Sequence, residues 1–346
     1  MKKLFLLLIT LFSCLGMASC AAESVALPKM ADLIFLRRHP IAPFSAEDSG
    51  IMQNVMSANR ALIAGDSLYT LELDAEHEPV LASYKLEDGR LSDYKVLVKG
   101  CAPKWLTEHE GSIYYINELR GGRIERLELE SRTLKGLTDY PCSYLQIKDS
   151  RLYFCDQAGA FCSAAPDGSD KRVIIGKPCC YAYQLDEAVI FQSESEGEIL
   201  KLHYSMDGKA KEIALTAGTA YAPVIIGERL YCTMDGQIYS MGLDGLDPDT
   251  LETPWINGAA EYYREGEIWY ARAITEDYGI TQWRCPIEGG TAEENSYMGY
   301  LYCDFTDGKR RIDADYFSDG RLRAFLLTGT GAGRSEYLYG EVTNSR

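Results

Sequence analysis

The stretch RLYFCDQAGAFCSAAPDG, residues 151–168, decides the fold. It carries a short strand-forming run around Tyr153, a turn with Gly159, a second run through Cys162, and then Asp167-Gly168. Asp-Gly suits the positive φ angles of a two-residue hairpin turn, so a further strand is expected after it. The unit recurs along the chain. GDSLYTL (65–71), GSIYYIN (111–117), DSRLYFC (149–155), DEAVIFQ (186–192), GERLYCT (227–233), EGEIWYA (265–271) and the weaker GKRRIDA (308–314) superimpose on one another. Their central residues, Tyr69, Tyr114, Tyr153, Ile190, Tyr231, Trp269 and Ile312, are spaced by 45, 39, 37, 41, 38 and 43 residues. A period near forty that carries four short strands is the sequence signature of a β-propeller blade.

Each unit reads as an inner strand, a turn, a strand bearing the central residue, a loop and a third strand. A Gly-containing turn, at Asp88-Gly89, Asp167-Gly168, Asp207-Gly208, Asp244-Gly245 or Glu288-Gly289, then leads to an outer strand. The fold class expected is therefore all-β: a propeller of four-stranded antiparallel blades over residues 59–346, with seven blades favoured and six possible. The uncertain unit is 300–342, which either forms a blade alone or combines with the N-terminal segment to close the ring.

In this frame Cys155 and Cys162 occupy neighbouring strands of one blade, at positions filled elsewhere by Thr, Tyr or Ala. They read as small buried wall residues, with a cross-strand disulfide as the alternative, since hairpin partners come close enough to bond. Cys-x₆-Cys lacks the second ligand pair that a zinc site requires. No metal and no cofactor is expected.

The runs IYYIN…GGRIERLELES (113–131) and LYFCD…APDGS (152–169) resemble the YWTD-type propellers of the low-density-lipoprotein-receptor group, and more closely a membrane-anchored bacterial branch of it. The resemblance spans roughly residues 60–342 and implies a propeller fold. The exact YWTD tetrad is absent, those propellers usually have six blades, and no functional residue transfers from them.

The first twenty residues, MKKLFLLLITLFSCLGMASC, read as a lipoprotein signal. Lys2 and Lys3 form a positive head, residues 4–15 an apolar core, and MASC a lipid-attachment box ending at Cys20. A plain secretory cleavage near Ala21 is the alternative. Lipidation at Cys20 places the protein on the extracytoplasmic face of a bacterial membrane, where two or more acyl chains hold stably and one does not. Residues 21–58 read as a tether and N-terminal arm. Within it, LIFLRR (33–38) suits a ring-closing strand or an arm packed on the edge, and 45–60 suits a short helix capped by Ser45.

The formal net charge is −16. A chain with 51 acidic and 35 basic residues has no basic stripe to meet phosphates, so nucleic acid is excluded as a partner. The four histidines, His39, His77, His109 and His203, follow no metal spacing and read as surface residues. Glu194, Glu196 and Glu198, and likewise Asp244, Asp247 and Asp249, read as solvated turns rather than calcium loops.

The most informative feature precedes each inner strand. CAPKW, PCSY, CCY, TAY, AAEY and MGY bring Trp105, Tyr144, Tyr181, Tyr221, Tyr262 and Tyr300 to equivalent places around one mouth of the central channel. These rings read as ligand-binding residues for a carbohydrate, peptide or protein. The competing reading packs them between blades. Three functions follow: a membrane-anchored binding module; a propeller enzyme, of lyase or glycoside hydrolase type, with its site at the mouth; or a structural adaptor of a surface complex. Glycoside hydrolysis needs paired carboxylates, for which Glu194, Glu261 and Asp304 are the candidates.

Overall fold

A computed structural model describes residues 29–250, except 88–89, 196, 198, 207–211 and 235–236, and beyond them the backbone of strands up to Glu341. Among these residues the chain is mostly β. It forms seven four-stranded antiparallel sheets, each a meander taken in chain order: 61–99, 103–136, 143–175, 180–214, 220–251, 261–297 and 301–341. The last sheet takes all four strands from its own unit, the N-terminal segment contributing none.

All seven central residues lie on the second strand of their sheets, each paired with a residue of the inner strand: Tyr69 with Leu62, Tyr114 with Thr107, Tyr153 with Gln146 and Ile190 with Tyr183. Tyr231 pairs with Val224, Trp269 with Arg264 and Ile312 with Phe305. The inner strands stand side by side from the first sheet to the fifth, and that of the seventh, Leu301–Thr306, lies beside that of the first, Ala61–Ala64. No single sheet can bury both of its faces alone; each covers its neighbour, which is why the repeat must be iterated. Buried amides add specificity at these joints. Asn59 donates to the Leu106 carbonyl at 2.9 Å, Gln146 accepts from the Gln184 N–H at 3.3 Å, and Gln192 donates to the Ala220 carbonyl.

Two helices precede the ring, so the chain is not purely β. Residues 33–38 belong to helix α1 (Met30–Arg38), not to a ring-closing strand. Leu33 and Leu36 of α1 lie against Gly245, in the last hairpin of the fifth sheet. Helix α2 (Ala46–Ser57) starts in a capping box: Ser45 Oγ accepts from the Asp48 N–H, and the Asp48 side chain accepts from the Ser45 N–H. This box satisfies helix-end donors that would otherwise lack partners.

Helix α2 runs lengthwise through the centre of the ring. Phe44, just before it, bridges to Gly227 in the turn where the inner strand of the fifth sheet ends. Met52 Sδ accepts from the Ile225 N–H at 3.3 Å, and the Val55 carbonyl meets Trp105 near the start of the inner strand of the second sheet. The helix also lies against the inner strands of the third, fourth and seventh sheets. Ala58 then takes a left-handed conformation (φ 55°), and the chain turns back into the first inner strand. The face where inner strands begin is here the upper face, and the face where they end the lower.

Two sequence expectations change in detail. Asp167-Gly168 and Asp244-Gly245 are not two-residue turns. Ala165 closes on Ser169 and Gly242 on Leu246, leaving three residues in each loop, and only the Gly of each pair has positive φ (87° and 81°). That is the hairpin in which a type I turn is followed by a left-handed residue. The other three pairs lie outside the described residues. His203, expected at the surface, is buried, its ring stacked on Phe191 at 5.5 Å with Nδ1 3.1 Å from a Glu212 oxygen. His109 is half-buried; His39 and His77 are exposed.

Cys155 and Cys162 are both buried, on opposite faces of the third sheet. Phe154 pairs with Cys162 and Cys155 with Phe161, and directly paired residues share a face. Cys162 therefore packs toward the second sheet, with Tyr114 and Ile124, and Cys155 toward the fourth, with Val189 and Phe191. This placement removes the Cys155–Cys162 disulfide as an alternative.

Candidate functional site

Four of the six rings expected at one mouth come together on the upper face. Trp105 and Tyr144 have centroids 5.6 Å apart, Tyr144 and Tyr181 5.7 Å, and Tyr181 and Tyr221 6.5 Å. A shared backbone device places them. The inner strands of the second to fifth sheets each have a bulge at this point, and Trp105, Tyr144, Tyr181 and Ala222 take positive φ there (53°, 55°, 47° and 45°). A bulge inserts one residue and re-aims its side chain. In the fifth sheet the bulge falls on Ala222, one residue after Tyr221. Tyr221 is consequently 45% exposed, whereas Trp105, Tyr144 and Tyr181 are only partly accessible.

The collar does not surround an open channel. Trp105 donates its indole N–H to the Val55 carbonyl at 2.7 Å, and Trp105 and Tyr144 pack on the apolar cluster that contains Met52 and Val55. Burial pushes the Tyr144 and Tyr181 hydroxyls toward higher pKa. Packing against α2 and neighbouring rings thus occupies the collar, leaving Tyr221 as its exposed member among the described side chains. Tyr262 sits on the inner strand of the sixth sheet, with its side chain outside the described residues; Tyr300 and Cys20 lie wholly outside them. Of the acids considered for hydrolysis, Glu194 is exposed, and the side chains of Glu261 and Asp304 are outside the described residues.

The lower face holds what the sequence did not announce. A cavity of about 430 Å³ lies between the segment 39–44, which joins the two helices, and the lower ends of the third and fourth sheets. Tyr183, Leu185, Tyr204, Met206, Ile41 and Phe44 form its apolar wall. Asp48, Asp186, Glu187, Lys148 and His39 supply its polar groups, with Lys148 paired to Asp186 at 2.5 Å. The only legible trace of this site was the capped helix at Ser45, since Asp48 serves both the cap and the cavity.

The ring of four-stranded antiparallel sheets defines the chain as a β-propeller protein. No protein-family model matches it, and no curated protein does. Among solved structures it is similar to a prolyl endopeptidase (TM-score 0.56, 8% identity, covering 94% of this chain and 59% of that one). It is similar also to a post-proline cleaving enzyme from Rickettsia typhi (TM-score 0.55, 8% identity, 84% and 54%). A third is the puromycin-hydrolyzing peptidase of Mycobacterium tuberculosis (TM-score 0.52, 14% identity, 88% and 56%). The chain spans a little over half the length of these peptidases, and the likeness is one of fold.

Proposed function

We propose that this chain is a membrane-tethered, extracytoplasmic propeller of seven blades that works as a binding module. The observation that carries the reading is the lower-face cavity. It is concave, sets tyrosine and aliphatic side chains beside several charged groups, and falls within the size range of small-molecule sites, roughly 300–1,000 Å³. The tether rests on MASC at 17–20, with Cys20 as the lipidated residue. Among the described residues no helix is long and apolar enough to cross a membrane. The resemblance to membrane-anchored YWTD-type propellers agrees with this picture.

Two measurements test it. A library of small molecules is screened against the full chain in detergent by thermal unfolding, beside Ala42→Trp, which fills the cavity from its exposed rim. At least one compound raises the melting temperature of the wild type and not of the variant; a library without effect on either sinks the reading. Membrane fractionation of Cys20→Ala tests the tether: the variant is released, and its retention on membranes overturns lipidation there.

A further inference from the structure

We infer that the lower-face cavity takes a small organic cation with an apolar body, an arylalkylammonium in its simplest form. This rests on the binding-module reading and gives it a ligand class. Tyr183 and Tyr204 line the cavity and are 6% and 4% exposed; among the described residues no side chain or backbone group hydrogen-bonds to either hydroxyl, and neither hydroxyl is shut off from the cavity. A phenol hydroxyl that opens on a cavity takes its hydrogen-bond partner from whatever fills that cavity. A ligand with polar hydrogens supplies that partner.

Charge selects the kind of ligand. Asp48, Asp186 and Glu187 face one lysine, Lys148, which Asp186 already pairs. His39 is the remaining titratable group at the rim. The first turn of α2 points positive partial charge at the same place, about half an elementary charge. Glu47 and Asp48 answer it within that turn. The surplus is negative, and the Asp48 and Asp186 carboxylates join burial in raising the pKa of the Tyr183 hydroxyl. Phe44 and Tyr183, with centroids 6.1 Å apart, supply ring faces that attract a cation and pack an apolar body.

Three probes share one body and differ in charge: phenethylammonium, 2-phenylethanol and phenylacetate. Each is titrated calorimetrically into the full chain and into Glu187→Gln, Tyr204→Phe and Ala42→Trp. Phenethylammonium binds at least roughly tenfold more tightly than the alcohol, a difference of about 1.4 kcal/mol, and phenylacetate binds weakest. Glu187→Gln narrows the gap between cation and alcohol, Tyr204→Phe weakens both, and Ala42→Trp abolishes binding. Equal affinity for cation and alcohol, or preference for phenylacetate, overturns the cation class and leaves the binding reading standing. So does silence from all three probes while a compound from the library still binds and is lost in Ala42→Trp. Silence from probes and library together removes both.

Discussion

Trp105 and Val55 meet across the inside of the ring, the indole N–H of one on the carbonyl oxygen of the other at 2.7 Å. Val55 lies in the last turn of α2, where helix carbonyls have no partner within the helix. A blade residue therefore caps a helix that belongs to a segment preceding the blades. Trp105→Phe keeps most of the ring's packing and deletes this bond. A loss of about 1–2 kcal/mol of stability is expected, read from urea midpoints. An unchanged midpoint would show that water takes over the carbonyl and that the contact is not a fastening.

Glu72 lies on the second strand of the first sheet, 4% exposed, with Oε1 unpartnered among the described residues. Burial pushes its carboxyl from the usual 4.5 up to about 7, and a hydrogen bond with Tyr84 opposes the rise only in part. The folded chain thus holds a proton that the unfolded chain has released between those values. Stability falls as pH rises through that window and stays lower above it. Glu72→Gln removes the dependence. Compared with wild type it gains up to about 3 kcal/mol at pH 8 and much less at pH 5. Equal gains at both values would mean that Glu72 keeps an ordinary pKa.

The seven units were legible because their central residues hold the same place on the second strand of every sheet, and the spacing of Tyr69, Tyr114 and Tyr153 records that constraint. The collar was legible for the same reason, since an aromatic near the start of the inner strand recurs at Trp105, Tyr144, Tyr181 and Tyr221. Its occupant was not. SGIMQNVMS reads as a helix, but nothing in it says that Met52 and Val55 face inner strands far along the chain. The cavity was hidden for a related reason. Tyr183 and Tyr204 look like ordinary strand aromatics, and only the path of residues 39–44 makes a pocket of them.

Gly245 marks where α1 rests on the fifth sheet. A Cβ there would lie 2.8 Å from Leu33 Cδ2 and 2.9 Å from Leu36 Cδ1, and φ is +81°. Gly245→Ala therefore meets both a strained backbone and a crowded contact. A loss of about 1–3 kcal/mol is expected, with faster proteolysis within residues 29–44 as α1 is displaced. Wild-type proteolysis of the variant would mean that α1 does not depend on this contact.

Cys155 and Cys179 approach each other with sulfurs 3.8 Å apart, and both are free thiols. Cys155 is on the second strand of the third sheet, and Cys179 immediately precedes the inner strand of the fourth. Oxidised glutathione supplies the oxidant for joining them. The half-buried Cys179 attacks it and releases one glutathione thiol; Cys155 then displaces the second, and the two cysteine sulfurs are left bonded. The two residues are 24 apart in sequence, and closing a loop of that length stabilises by roughly 3 kcal/mol in the chain-entropy account. Mass spectrometry of the digested product should find Cys155 linked to Cys179 in the wild type and in Cys162→Ser, and no link in Cys179→Ser. A link between Cys155 and Cys162 would contradict the register that sets them on opposite faces of the sheet.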